Sequence, residues 1–191
     1  MSVVIHTTVG ALRIRLFWRE TPKTCRNFIE LCKCGYYDGC LIHRVIKGFM
    51  FQTGLPDVTK PNSGTSIYKS RQFEDEICAT LSHDRPGTVS MVNEGKRNTN
   101  TCEFFVSFTA SPHLDGRNTL FGELAPDSLE LLADIELVKT TKGNRPVRPL
   151  KIFQVQVEED PWTGEPLPPD AAELPERPLV PVHSPPSCAI S

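Results

Sequence analysis

Apolar and polar residues take turns from Ser2 to Thr7 and again from Ala11 to Phe17, with Val9-Gly10 between the two runs. A period of two sends successive side chains to opposite faces of a strand, so Leu12, Ile14 and Leu16 share one face and Arg13 and Arg15 the other. Joined by a glycine-containing turn, the runs predict an antiparallel hairpin. The period then changes. Cys25, Phe28, Ile29 and Cys32 recur at helical spacing behind Thr21-Pro22, with Thr21 as N-cap, Pro22 at the first helical position and Gly35 as the stop. Cys25 and Cys32 therefore read as helix core. A second hairpin is predicted from Leu41 to Ile46 and Phe49 to Thr53 around Lys47-Gly48.

Beyond it, Leu55 to Gln72 is a long loop with Pro56, Pro61, Asn62 and Gly64, a length that often marks a functional surface. Phe73-Glu74-Asp75-Glu76 reads as a solvated turn anchored by Phe73. Strands are predicted over Val89 to Asn93, Phe104 to Phe108 and Leu120 to Leu124. A short helix follows over Asp127 to Ile135, capped by Asp127 or Ser128, and a closing strand runs from Lys151 to Val157. Strands at hairpin spacing with two helices predict a mainly β fold, an antiparallel closed barrel with the helices over its ends.

The composition shifts at Glu159. The remainder holds Pro161, Pro166, Pro168, Pro169, Pro175, Pro178, Pro181, Pro185 and Pro186, and six acids face the single Arg177. Such a segment buries no core, so the chain divides into a globular domain at 1–158 and a disordered or polyproline-like tail at 159–191. Trp162 is out of character there and is a candidate to dock back onto the barrel. The formal net charge of −2 gives no field for holding nucleic acid directly. No apolar run approaches the roughly 20 residues of a spanning helix. Seven cysteines, an odd number without a signal-peptide pattern, point to a reducing compartment, cytoplasm or nucleus, and not to secretion. Cys32-x-Cys34 lacks a second ligand pair at zinc spacing, so no metal site is expected.

One residue resists the pattern. At period two, Arg44 shares a face with Ile42 and Ile46. A guanidinium is costly to desolvate and keeps its proton, so it needs a partner or a task unless it snorkels from an edge strand.

Several segments together resemble the cyclophilin family of peptidyl-prolyl cis-trans isomerases, and most of all its small, single-domain, spliceosome-associated J-type members. They are Ile-His-Arg-Val-Ile-Lys-Gly-Phe-Met-Phe-Gln-Thr-Gly (42–54), Ser-Ile-Tyr (66–68) with Phe-Glu-Asp-Glu (73–76), and Val-Ser-Met-Val-Asn (89–93). Asn-Thr-Asn (98–100), Phe-Phe-Val-Ser (104–107), Pro-His-Leu-Asp-Gly (112–116) and Leu-Phe-Gly (120–122) follow in the family's order. The resemblance implies an eight-stranded antiparallel barrel capped by two helices, a monomer, and rotation of Xaa-Pro bonds in peptides and proteins without nucleophile, metal or cofactor. It implies Arg44 as the catalytic donor, Phe49, Met50, Phe105 and Leu114 as the proline pocket, Gln52 in the same wall, and Val92 and Asn93 along the groove. Phe104 and Phe105 point to opposite faces, so only one of them lines that pocket.

Five positions depart from the family pattern. Glu103 stands for the usual glutamine and brings an acceptor and a charge where an amide donor is common. Paired with Arg44, it would restrain the arginine and lower activity. His113 replaces a tryptophan, which implies weak cyclosporin binding. Asn118 replaces a pocket histidine, and Val92 replaces a common alanine, narrowing the groove. The loop Gly95 to Cys102 is one residue longer than usual, with Thr101 in place of a glycine. These departures support the alternative of a weakly active proline-binding module, for example a spliceosomal assembly factor. Cys188-Ala189-Ile190-Ser191 fits a prenylation box whose terminal serine favours farnesyl. Membrane contact is then expected only through that lipid, and weakly, because the tail is acidic.

Overall fold

A computed structural model describes residues 1–60, 64–172 and 174. The first hairpin forms as its alternation predicts: β1 (Ser2–Thr7) pairs with β2 (Gly10–Leu16), Thr7 opposite Gly10. Helix α1 (Pro22–Lys33) follows. It ends at Gly35, whose φ of 70° lets Gly35 N bond Cys32 O at 3.0 Å and Tyr36 N bond Leu31 O at 2.9 Å, a glycine-dependent Schellman stop. Cys25 and Cys32 are buried in the core, as their helical spacing indicates.

The remaining elements are β3 (Arg44–Ile46), β4 (Met50–Thr53), β5 (Thr88–Met91), β6 (Phe104–Ser107), β7 (Leu120–Leu124), α2 (Leu129–Glu136) and β8 (Ile152–Glu159). All eight strands lie in one sheet in the order β3-β4-β6-β5-β7-β2-β1-β8, and every ladder is antiparallel. The sheet curls, but among the described residues no continuous ladder closes it. Its outer strands meet where Ile42 N bonds Leu150 O and Ile152 N bonds Cys40 O, both at 2.9 Å, and Gly39 N bonds Ile152 O at 2.7 Å. The expected closed barrel is therefore a curled half-barrel with a short bridged seam. Val45, Phe51, Val106 and Val89 lie opposite one another across four strands, all buried on the inner face. Phe28 of α1 seals this core, with Tyr37, Phe104 and Phe121 each 5.3 Å from its ring.

Three expectations need correction. Ile42 does not share a strand face with Arg44. It belongs to the seam and is buried, whereas Arg44 opens β3 on the outer face and is exposed. Thr21 does not cap α1, because its hydroxyl bonds Phe17 O at 3.0 Å. The orphan N–H groups of the first turn go instead to Glu76, which accepts from Lys23 N at 3.0 Å and Thr24 N at 2.8 Å. The acidic turn is thus a cap supplied from a distant loop, its charge favourable at the positive end of the helix dipole.

The third concerns only the start of the tail, where Asp160, Trp162, Asp170 and Leu174 contact the domain; residues 173 and 175–191 lie outside the described residues. Trp162 docks edge-to-face with Trp18, their ring centroids 6.2 Å apart, and its ring lies under the Arg26 guanidinium at 5.2 Å. Cys188 and its prenylation box lie outside the described residues. Replacing Glu76 by alanine should strip two backbone donors of their acceptor and destabilise the domain by about 1–2 kcal/mol. Chemical denaturation of the variant against the parent, at constant m, measures it.

Candidate functional site

The outer face of the same strands builds the site. Register places Arg44 opposite Gln52, Gln52 opposite Phe105 and Phe105 opposite Ser90, one side chain per strand across β3, β4, β6 and β5. Since the inner neighbours Val45 and Phe51 fill the core, this row must face outward. Phe104 packs inward on Phe28, and Phe105 takes the outer face.

Gln52 connects the cation to Glu103. Arg44 Nη1 donates to Gln52 Oε1 at 3.4 Å, and Gln52 Nε2 donates to Glu103 Oε1 at 2.6 Å. A carboxylate only accepts, so Glu103 compels the amide N–H of Gln52 to face it and leaves the carbonyl for Arg44. The direct Arg44–Glu103 pair envisaged from the sequence does not form. Glu103 Oε1 takes instead His43 Nε2 at 3.1 Å, a residue the sequence reading passed over. That contact leaves Nδ1 of His43 buried with no hydrogen-bond partner among the described residues. His43 sits next to Arg44 on the opposite parity of an apolar run, which was the only signal it gave.

The apolar wall comes from three places. The turn Lys47-Gly48-Phe49 needs Gly48 at φ 73° and carries Phe49 off the ladder, although it was expected inside the strand. There its ring meets His113 at 5.5 Å. Met50 heads β4 two residues from Gln52 and is buried on the same face. Leu114 closes a single 3-10 turn, Pro112–Leu114, to whose last carbonyl Asn118 N bonds at 3.1 Å. Asn118 Nδ2 in turn holds Met91 O at 3.0 Å. Val92 and Asn93 leave β5 along the groove. Val92 N bonds Glu103 O at 2.9 Å, and Asn93 Nδ2 bonds Arg117 O at 2.9 Å. Beside them a cavity of about 130 Å³ opens between Leu55, Gly64, Arg71 and Glu103.

Beneath Phe105 lies a polar support without any sequence signature. The buried His83 ring stacks on Phe105 at 6.5 Å and 13°. Its Nδ1 meets Asp115 Oδ1 and its Nε2 meets Ser90 Oγ, both at 2.7 Å. With Asp115 accepting the Nδ1 proton, Nε2 accepts from the serine hydroxyl. Ser90 is fully buried, so the arrangement serves as a brace rather than a nucleophile. Partial burial raises the Asp115 pKa, but the backbone N–H and ring of His83 outweigh it and hold the carboxyl below its ordinary range. A lowered folded pKa stabilises fully above the unfolded value near 3.9, and the contribution fades as pH falls through the folded value. Asp115→Asn should therefore be less stable than the parent at pH 7, with the gap narrowing below about pH 4. Urea midpoints at both pH values decide it.

The outer face of the curled antiparallel sheet thus carries the exposed Arg44 beside Gln52 and Phe105, with Phe49 and His113 in contact at its edge. The sequence matches the family described as "Cyclophilin type peptidyl-prolyl cis-trans isomerase/CLD" over residues 2–157. A "Peptidyl-prolyl cis-trans isomerase-like 3" of Neurospora crassa is 46% identical over 166 residues, 84% of this chain and 98% of that protein. The human protein of the same name is 44% identical over 163 residues, 85% of this chain and 99% of its own length. A Cryptosporidium parvum cyclophilin-type isomerase, crystallised in the presence of the dipeptide Ala-Pro, superposes with a TM-score of 0.79 at 36% identity, covering 84% of this chain and 100% of that one. The chain belongs to the cyclophilin-type peptidyl-prolyl cis-trans isomerases. Its activity is rotation about Xaa-Pro peptide bonds.

Proposed function

We propose that Arg44 is the catalytic donor and that the substrates are exposed Xaa-Pro segments of peptides and proteins. Rotation is slow in water because conjugation makes the barrier about 18–20 kcal/mol. Twisting the amide breaks that conjugation and leaves a lone pair on the prolyl nitrogen. A donor that is always charged, aimed at that nitrogen, lowers the barrier because it binds the twisted state better than either planar one. The observation that carries this reading is the placement of Arg44. It stands exposed at the head of the row Arg44–Gln52–Phe105, and its hydrogen bond to Gln52, at 3.4 Å, is long enough to yield to a substrate. Phe49, Met50, Phe105, Leu114 and His113 form the apolar ground for a proline ring, and Val92 and Asn93 offer backbone and amide groups to the chain entering beside it. Asn118 acts from behind, fixing the end of β5.

Arg44→Ala should lower kcat/KM by about 10²–10³-fold, the usual cost of losing one preorganised donor, with far-UV circular dichroism unchanged. Retention of full turnover on a short Xaa-Pro peptide would sink the assignment. Glu103 acts on this arginine through Gln52. Its negative charge near the guanidinium weakens the field that Arg44 applies to the prolyl nitrogen. Glu103→Gln should consequently raise kcat/KM several-fold in the same assay, and an equal or lower value would show that Glu103 does not restrain the site.

A further inference from the structure

The family match stops at residue 157, yet the chain continues as an ordered strap across α1 and onto the loop that borders the groove. Its anchors are specific. Asp160 pairs with Lys33 at 2.9 Å, Trp162 is held between Trp18 and Arg26, and Arg26 Nη2 donates to Pro166 O at 3.0 Å. Arg26, Asn27 and Glu30 of α1 are buried because the barrel covers one side of the helix and other segments, the strap at Arg26 among them, cover the rest. The strap then runs antiparallel to the loop after Gly64. Lys69 N bonds Asp170 O at 3.0 Å, Ala172 N bonds Ile67 O at 2.6 Å, and Tyr68 bridges to Ala171.

This pairing continues into the substrate side of the molecule. Arg71 sits in the left-handed region at φ 62°, a conformation that persists in a non-glycine residue only where the surroundings impose it. Arg71 N bonds Tyr68 O at 2.9 Å, and Arg71 Nε bonds Gly64 O at 2.6 Å, so the turn is fastened to the residues that the strap pairs with. Arg71 and Gly64 then line the cavity of about 130 Å³ shared with Leu55, Val92, Asn93 and Glu103. The other wall is formed by Leu55, Val92, Asn93 and Glu103, which flank the ends of β4, β5 and β6 and are tied together where Val92 N bonds Glu103 O at 2.9 Å. Among the described residues, the loop wall has no sheet partner except the strap at Tyr68 and the bridge from Phe73 to Asn100.

We propose that residues 160–172 form a positioning strap for the isomerase. By pairing with Ile67 to Lys69, they fix the Arg71 turn and hence the side pocket that receives substrate residues flanking the Xaa-Pro bond. The proposal rests on the placement of the substrate along Val92 and Asn93. Because the strap touches neither Arg44 nor Phe105, it acts on binding of the flanking residues and leaves the rotation step alone. Acidic Glu74 and Asp170 both contact Lys23, at 2.7 and 3.1 Å, and tie the strap to the acidic turn that caps α1.

The test uses the full chain. Ala172→Pro removes the N–H that bonds Ile67 O, and Trp162→Ala removes the aromatic anchor at the far end. Each variant should raise KM by about three- to tenfold for Xaa-Pro peptides extended on both sides, with kcat within about twofold, the pattern expected when binding common to ground and transition states is lost. KM for a peptide with a single flanking residue on each side should stay within about twofold. Amide hydrogen exchange of residues 64–72 should accelerate in both variants. Unchanged KM for the extended peptides, or unchanged exchange in that loop, would overturn the strap's role. Should Trp162→Ala unfold, seen as exchange rising across the whole sheet, Ala172→Pro alone decides. Arg44→Ala measured in parallel separates the two readings. Full turnover by Arg44→Ala condemns the site assignment, whereas normal KM and exchange in the strap variants condemn the strap.

Discussion

The ladder between β4 and β6 is the constraint on which the rest of the molecule depends. Its register sets Phe51 against Val106 on the inside and Gln52 against Phe105 on the outside. One residue of slip would invert both faces at once, burying an amide and exposing two apolar side chains. Core formation and site formation are therefore one event. The apolar area that drives Phe51 and Val106 inward also delivers Gln52 and Phe105 to the groove, and the next strand outward delivers Arg44 to Gln52.

From that ladder the site is stiffened from two sides. Behind Phe105, His83 is locked by Asp115 and Ser90, so the aromatic floor rests on a hydrogen-bonded ring instead of on mobile solvent. Beside Arg44, the chain Arg44–Gln52–Glu103 with His43 fixes the sense of the Gln52 amide. Both devices are polar groups beside or under an apolar surface, and each is satisfied apart from Nδ1 of His43. Under the proposed mechanism, an Arg44 held in this way stabilises charge as it shifts in the transition state without reorganising when it does so. An isomerase needs little more, since no bond is made or broken.

The periphery follows another logic. The acidic turn at Phe73 to Glu76, the loop ending at Arg71 and the strap from Asp160 to Ala172 are irregular, yet they interlock. Glu76 caps α1, Lys23 of that cap reaches Glu74 and Asp170, and Asp170 O accepts from Lys69. A helix whose residues from Thr24 to Cys32 are all buried requires such a cover, because a barrel end shields only one side. The proline content that made the strap look structureless suits it to lie over a helix, where the carbonyls of Pro166 and Pro169 accept from Arg26 and Lys69.

What the sequence determined is what short-range periodicity encodes. The β1–β2 hairpin, the span of α1 with its stop at Gly35 and the opposite faces of Phe104 and Phe105 could be read because period two, period 3.6 and glycine signals are local. Ile42 was misplaced because alternation cannot tell where a ladder begins, and Thr21 because a cap motif says nothing of a better acceptor arriving from residue 76. His43, His83, Ser90 and Asp115 acquire their roles only when the barrel brings segments far apart in sequence to within 3.1 Å, as His83 and Asp115 show. The same holds for Trp162 and Arg71, since a tail and a loop carry no period from which their partners could be inferred. Tertiary structure decided those contacts because burial and hydrogen-bond satisfaction are settled between segments, not within them.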